Sequence, residues 1–104
     1  VSDVGEWLVR LVDCDAAVGQ VLNLGNPEEI SIADLAARVI ALTGSAAGIE
    51  YIPYTVAYED GFEDIARRVP DIAKVVALTG HSPRVPLDES LQRIHAWCAQ
   101  RVEV

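Results

Sequence analysis

The sequence predicts an α/β (α+β) domain of four helices with a small sheet of two or three short strands, and three observations lead there. Apolar residues recur at helical spacing in four separate segments. Two short runs rich in β-branched and aromatic residues, at 20–24 and 49–54, lie between them. Glycines stand where helices and turns have to end. With 104 residues, 51% of them hydrophobic and 23% charged, the chain is long enough for one domain over 1–104 and too short for two.

The first helix is predicted from Ser2 to about Cys14. Val4, Trp7, Leu8, Leu11 and Val12 form its apolar stripe, and Ser2 or Asp3 caps it. Gln20 to Leu24 reads as a buried strand, apolar on both faces, closed by the Gly25-Asn26-Pro27 turn. Ser31 to Asp34 opens the second helix with a capping box in which Asp replaces the usual Glu or Gln. Ile32, Leu35, Ala36, Val39, Ile40 and Leu42 carry its stripe, and Gly44 ends it. Ile49 to Tyr54 reads as a second strand, which Pro53 confines to a sheet edge. From Thr55 to Ala66 the chain turns polar and acidic without periodicity, the kind of stretch in which ligand contacts concentrate. Asp71 to Leu78 makes a third helix stopped by Gly80, and residues 81–86 form a stiff, proline-rich connector. Leu87, Leu91, Ile94 and Trp97 or Cys98 mark the last helix, with Asp88 and Glu89 suited to the positive end of its dipole.

A formal net charge of −8 weighs against nucleic acid and anionic membrane surfaces as partners. There is no apolar run long enough to span a bilayer, and the chain opens at Val1 without a methionine; both suit a soluble, cytoplasmic fragment or processed product. In that setting Cys14 and Cys98 are free thiols. No G-x-S-x-G occurs, and neither His81 nor His95 has an evident partner for acid–base work. His95 and Cys98, three apart, supply two metal ligands at most, and the glycines do not form a phosphate-cradling loop. The sequence therefore assigns no catalytic residue, no metal and no cofactor to this chain.

What stands out is Arg67-Arg68, the one adjacent arginine pair in an acidic protein. It lies between the acidic loop and a helix start that Pro70 stiffens and Asp71 caps. Two readings stay open. The guanidinium groups face a negatively charged ligand such as a diphosphate, or they pair with Glu59, Asp60, Glu63 and Asp64 nearby. Tyr51, Tyr54 and Tyr58 likewise either line a pocket or anchor strand and loop.

Taken in order, Val1 to Val4, Gly19 to Gly25, Ser31 to Ala36, Pro70 to Lys74 and Leu78 to Pro83 resemble the C-terminal substrate-binding region of the NAD-dependent nucleotide-sugar epimerase/dehydratase family, a branch of the extended short-chain dehydrogenases/reductases. The resemblance covers essentially the whole chain. It implies a lobe that closes over the diphosphate and sugar of a UDP- or dTDP-sugar, with NAD held in a neighbouring Rossmann domain absent from this chain. The arginine before Pro-Asp-Ile maps the diphosphate role onto Arg68, with Arg67 beside it. The upstream acid maps onto Asp64, for the ribose or for ordering the arginine, and the aromatic loop from Tyr54 to Phe62, Tyr58 included, becomes a wall of the sugar pocket. The motif around Arg68 looks closest to the decarboxylase and epimerase branches.

The family's glycine-rich loop and Tyr-x-x-x-Lys pair are missing, so the chain is expected to be non-catalytic alone. It is expected to pair with a Rossmann domain or to self-associate through the surface that domain would cover, around Trp7 and 21–24. His81 stands where the family usually has Trp, and Gly5 where a larger aliphatic residue is usual, which implies weaker packing. A stand-alone interaction or scaffold module is the rival reading.

Overall fold

Five α-helices and no strand make up the described residues, 1–61 and 63–101, of the computed structural model: α1 (Ser2–Val12), α2 (Ile32–Thr43), α3 (Tyr54–Ala57), α4 (Ala73–Thr79) and α5 (Leu87–Arg101), with a 3-10 turn at Asp15–Ala17. The expected α/β architecture with a small sheet is therefore overturned. Segments 20–24 and 49–53 are irregular, without ladder partners. Strand propensity is mostly a preference for packing against neighbouring strands, and among the described residues no strand lies beside either segment. Val21, expected in a buried strand, is exposed, and its carbonyl accepts from the Lys74 ammonium at 3.3 Å instead of from a strand.

The four longer helices follow from local sequence. Ser31 caps α2 as a reciprocal box: the Asp34 N–H donates to Ser31 Oγ at 3.0 Å, and the Ser31 hydroxyl donates to Asp34 Oδ2 at 2.7 Å. Asp71 accepts from the Ala73 N–H at 3.0 Å as the chain enters α4. Gly80 ends α4 with φ +69°, a left-handed turn that a side chain would strain.

Two helix pairs result, α1 against α4 and α2 against α5. Trp7, Val75 and His81 are the buried residues between the first two. The Trp7 indole N–H donates to the His81 carbonyl at 3.0 Å, and the two rings meet edge-on at 5.5 Å. Arg10, on α1, reaches the Thr79 carbonyl at the end of α4 at 3.0 Å, where a cation suits the helix dipole. In the second pair, Arg38 of α2 bridges Asp88 of α5 at 3.0 Å and Glu28 at 3.3 Å.

Asp3 ties the connector 81–86 to α1. Its carboxylate accepts from the Arg84 and Val85 N–H groups, both at 3.0 Å, and meets His81 Nε2 at 3.2 Å. His81 thus has the partner that its position in the sequence did not reveal. Gly25 lets the turn at 25–27 press on the proline before α4, since a Cβ there would lie 3.0 Å from Pro70 Cγ.

The assembly is open. Its radius of gyration is 17.8 Å, whereas a compact domain of this length has about 13 Å. Its accessible surface is 8383 Å², against about 5,700 Å² for a compact monomer of 11.2 kDa. Val21, Tyr51, Val56, Ile65 and Trp97 are all more than half exposed. Trp7, expected on the open surface, is instead covered by α4 and the connector. No helix among the described residues is long and apolar enough to cross a membrane.

Candidate functional site

The N-terminal turn of α2 and the loop before α4 face each other across a cleft of about 410 Å³, within the usual range for small-molecule sites. Ile30, Ser31 and Ile32 form one wall. Asp64, Ile65, Ala66 and Arg68 form the other. The capping of α2 by Ser31 turns the chain there, so residues 30–32 meet the loop with the positive end of the helix dipole behind them.

Arg67 and Arg68 part company at this loop. Arg67 is not in the cleft wall: its Nε and Nη2 donate to Glu29 Oε1 and Oε2 at 2.5 and 2.7 Å, a fork matched to both carboxylate oxygens. The hydrogen bonds from Arg67 hold the Glu29 carboxyl below its usual range and push the Arg67 guanidinium up. Arg68 lines the cleft and is 71% exposed. Its nearest acid is Asp64, with 3.6 Å from Nη2 to Oδ1, an ion pair too long to be a hydrogen bond. The Arg68 guanidinium therefore keeps donors to offer a ligand.

Asp64 is ordered from the other side, where the Tyr54 hydroxyl donates to Oδ2 at 2.9 Å. That hydrogen bond to a carboxylate raises the Tyr54 phenol above its ordinary pKa. Tyr58 is not in the cleft wall. It joins the group through its ring, 5.7 Å from that of Tyr54 and tilted by 33°. Phe62, the far end of the expected aromatic wall, lies outside the described residues.

Of the expected site residues, the structure thus brings Asp64 and Arg68 to one wall, attaches Tyr58 through Tyr54, and turns Arg67 to a different acid. The ion-pair reading named Glu59, Asp60, Glu63 and Asp64: Arg68 does pair with Asp64, whereas for Arg67 the partner is Glu29, 38 positions earlier. Sequence reasoning missed Glu29 and the Tyr54–Asp64 contact. The signal available for the first was the Glu28-Glu29 pair just ahead of the capping box. The arrangement suits holding an anion with a guanidinium and a helix start, and the cleft wall carries no histidine or cysteine to act as base or nucleophile. Among the described residues, no group of three or more His, Cys, Asp or Glu side chains is set to hold a metal ion.

No protein-family model matches the chain, and no solved structure matches it. Curated relatives do. A UDP-N-acetyl-alpha-D-glucosaminuronate decarboxylase of Bacillus cytotoxicus is 31% identical over 97 residues, 93% of this chain and 30% of the relative. UDP-glucuronic acid decarboxylase 1 of Danio rerio is 34% identical over 103 residues, 99% of this chain and 23% of the relative. UDP-glucuronic acid decarboxylase 2 of Arabidopsis thaliana is 39% identical over 102 residues, 98% of this chain and 21% of the relative. The chain spans less than a third of the length of these relatives.

Proposed function

The chain belongs to the NAD-dependent epimerase/dehydratase family, with UDP-glucuronic acid decarboxylases among its relatives, and from that premise we propose that its cleft holds the diphosphate of a UDP-linked sugar. The observation that carries this reading is Arg68, exposed on the wall of a cleft with its hydrogen-bond donors unspent on Asp64. A phosphate group at that position takes two parallel N–H bonds from the guanidinium on two of its oxygens, a stronger contact than the 3.6 Å ion pair it replaces. Asp64, released from Arg68 and still bonded to Tyr54, is free to accept from a ribose hydroxyl. Tyr54, bonded to Asp64, and Tyr58, against the Tyr54 ring, adjoin the wall that carries Arg68 and would be the side chains nearest to hand for the sugar or base. The relatives are named for UDP-linked substrates, which favours UDP over dTDP, and for decarboxylation, a lyase reaction.

In this reading the chain serves as a binding lobe, with Asp64 of the cleft wall accepting from the ligand, and the reaction belongs to NAD and catalytic groups in another domain. The exposed apolar surface supports such a neighbour, or a second copy, lying against it. That same surface favours a second reading, an interaction module without a ligand.

Calorimetric titration of the intact protein with UDP, a UDP-sugar and dTDP, beside the Arg68→Ala variant, separates the two. The binding lobe requires saturable UDP binding that Arg68→Ala weakens by about tenfold or more. Equal affinity in the variant overturns the assignment. Absence of nucleotide binding together with stable capture of a protein partner favours the interaction module.

A further inference from the structure

We infer that Glu29 and Arg67 form a strap that sets the width of the cleft, which makes Glu29 a positioning residue for anion binding despite its own negative charge; the inference rests on the diphosphate reading above. The residues that line the cleft come from two short runs, 30–32 and 64–68, every one of them lining it except Arg67. Glu29 directly precedes the first run. Arg67 sits inside the second, between the lining residues Ala66 and Arg68. The two-pronged contact at 2.5 and 2.7 Å therefore joins the walls at their edge, across 38 residues of sequence.

The other polar contacts shown for this wall do not do this. Asp64 bonds to Tyr54 and pairs with Arg68 within its own segment, which orders that segment without fixing it to α2. A fork between guanidinium and carboxylate constrains orientation as well as distance, because both N–H bonds are met together only when the two planar groups are aligned. Anchoring Arg67 on Glu29 thus fixes the backbone from which the neighbouring Arg68 reaches into the cleft. Among the described residues, the Arg67–Glu29 fork is the polar contact shown between the two runs.

The strap makes a prediction opposite in sign to bare electrostatics. By Coulomb's law alone, removing a carboxylate beside an anion site strengthens anion binding. If the carboxylate is a strap, its removal loosens the wall that carries Arg68 and weakens binding. In the intact protein, Glu29→Gln and Arg67→Ala are each expected to weaken UDP binding by up to about fivefold, the scale of a well-aligned exposed ion pair. The exchange Glu29→Arg with Arg67→Glu is expected to recover most of that loss. A second readout needs no ligand: trypsin must free Arg67 from Glu29 before cutting after it, so Glu29→Gln should speed cleavage at Arg67 by a similar factor.

UDP binding in Glu29→Gln as tight as in the wild type, or tighter, overturns the positioning role. Should Arg68→Ala bind UDP as the wild type does, the diphosphate reading falls, and the strap is judged on trypsin alone. Faster cleavage in Glu29→Gln then supports it and unchanged cleavage overturns it.

Discussion

Replacing Asp3 by alanine removes the carboxylate that joins α1 to the connector before α5. Three contacts go at once: the Arg84 and Val85 N–H groups, each at 3.0 Å, and His81 Nε2 at 3.2 Å. Arg84 is exposed, and water takes over its amide. Val85 is half-buried, and the His81 side chain is only 3% exposed, so their donors are left without partners. An orphaned buried donor costs about 1–3 kcal/mol, and with Val85 only half-buried its share is counted at the low end, which puts the loss for Asp3→Ala at about 2–4 kcal/mol. Urea unfolding followed by far-UV circular dichroism at pH 7 measures it as a lower midpoint with an unchanged slope.

The pH dependence supplies a second check. Burial raises the Asp3 pKa, but the hydrogen bonds from Arg84, Val85 and His81 outweigh it and leave the carboxyl below its ordinary value of 3.8. A carboxyl with a lower pKa in the folded than in the unfolded chain contributes its full stability above the ordinary value. That contribution drains away as the pH falls further, through the folded value. The gap between wild type and Asp3→Ala should therefore hold near neutrality and narrow below pH 3.8. A loss under about 0.5 kcal/mol, the range of an ordinary surface substitution, refutes the reasoning, and so does a gap that does not narrow in acid.

Two further substitutions test the packing of α1. Gly5 lies inside the helix with open space where a Cβ would sit, so Gly5→Ala should stabilise by about 1 kcal/mol and raise the melting temperature by several degrees. Trp7→Ala should cost about 3–5 kcal/mol, a large share of a domain's whole stability, and is read as loss of the near-UV signal and of cooperative melting.

The four longer helices were legible in the sequence because their causes are local, whereas α3, in a stretch read as a strand end and an aperiodic loop, was not. The stripe through Trp7 and Leu11, the Ser31–Asp34 box, and Gly44 and Gly80 at helix ends all act within a few residues. The strands were misread because Val21 and Ile52 carry strand propensity but meet no partner, and propensity without a neighbour does not make a ladder. Arg68 stood out through its doublet and through the resemblance of the motif around it. Glu29 did not: the Glu28-Glu29 pair ahead of the capping box marks a place, but among 16 acidic residues it does not say which one folding brings to Arg67. His81 looked idle for the same reason, its partner Asp3 being 78 positions away.

The account turns on whether the cleft recognises phosphate. Titrating the intact protein with UDP and with uridine under identical conditions isolates that contribution, because the two ligands share base and ribose and differ in the diphosphate. The account predicts saturable binding of UDP, weakened by added salt and by Arg68→Ala, and far weaker binding of uridine. Uridine bound as tightly as UDP, or UDP binding indifferent to Arg68, would contradict it.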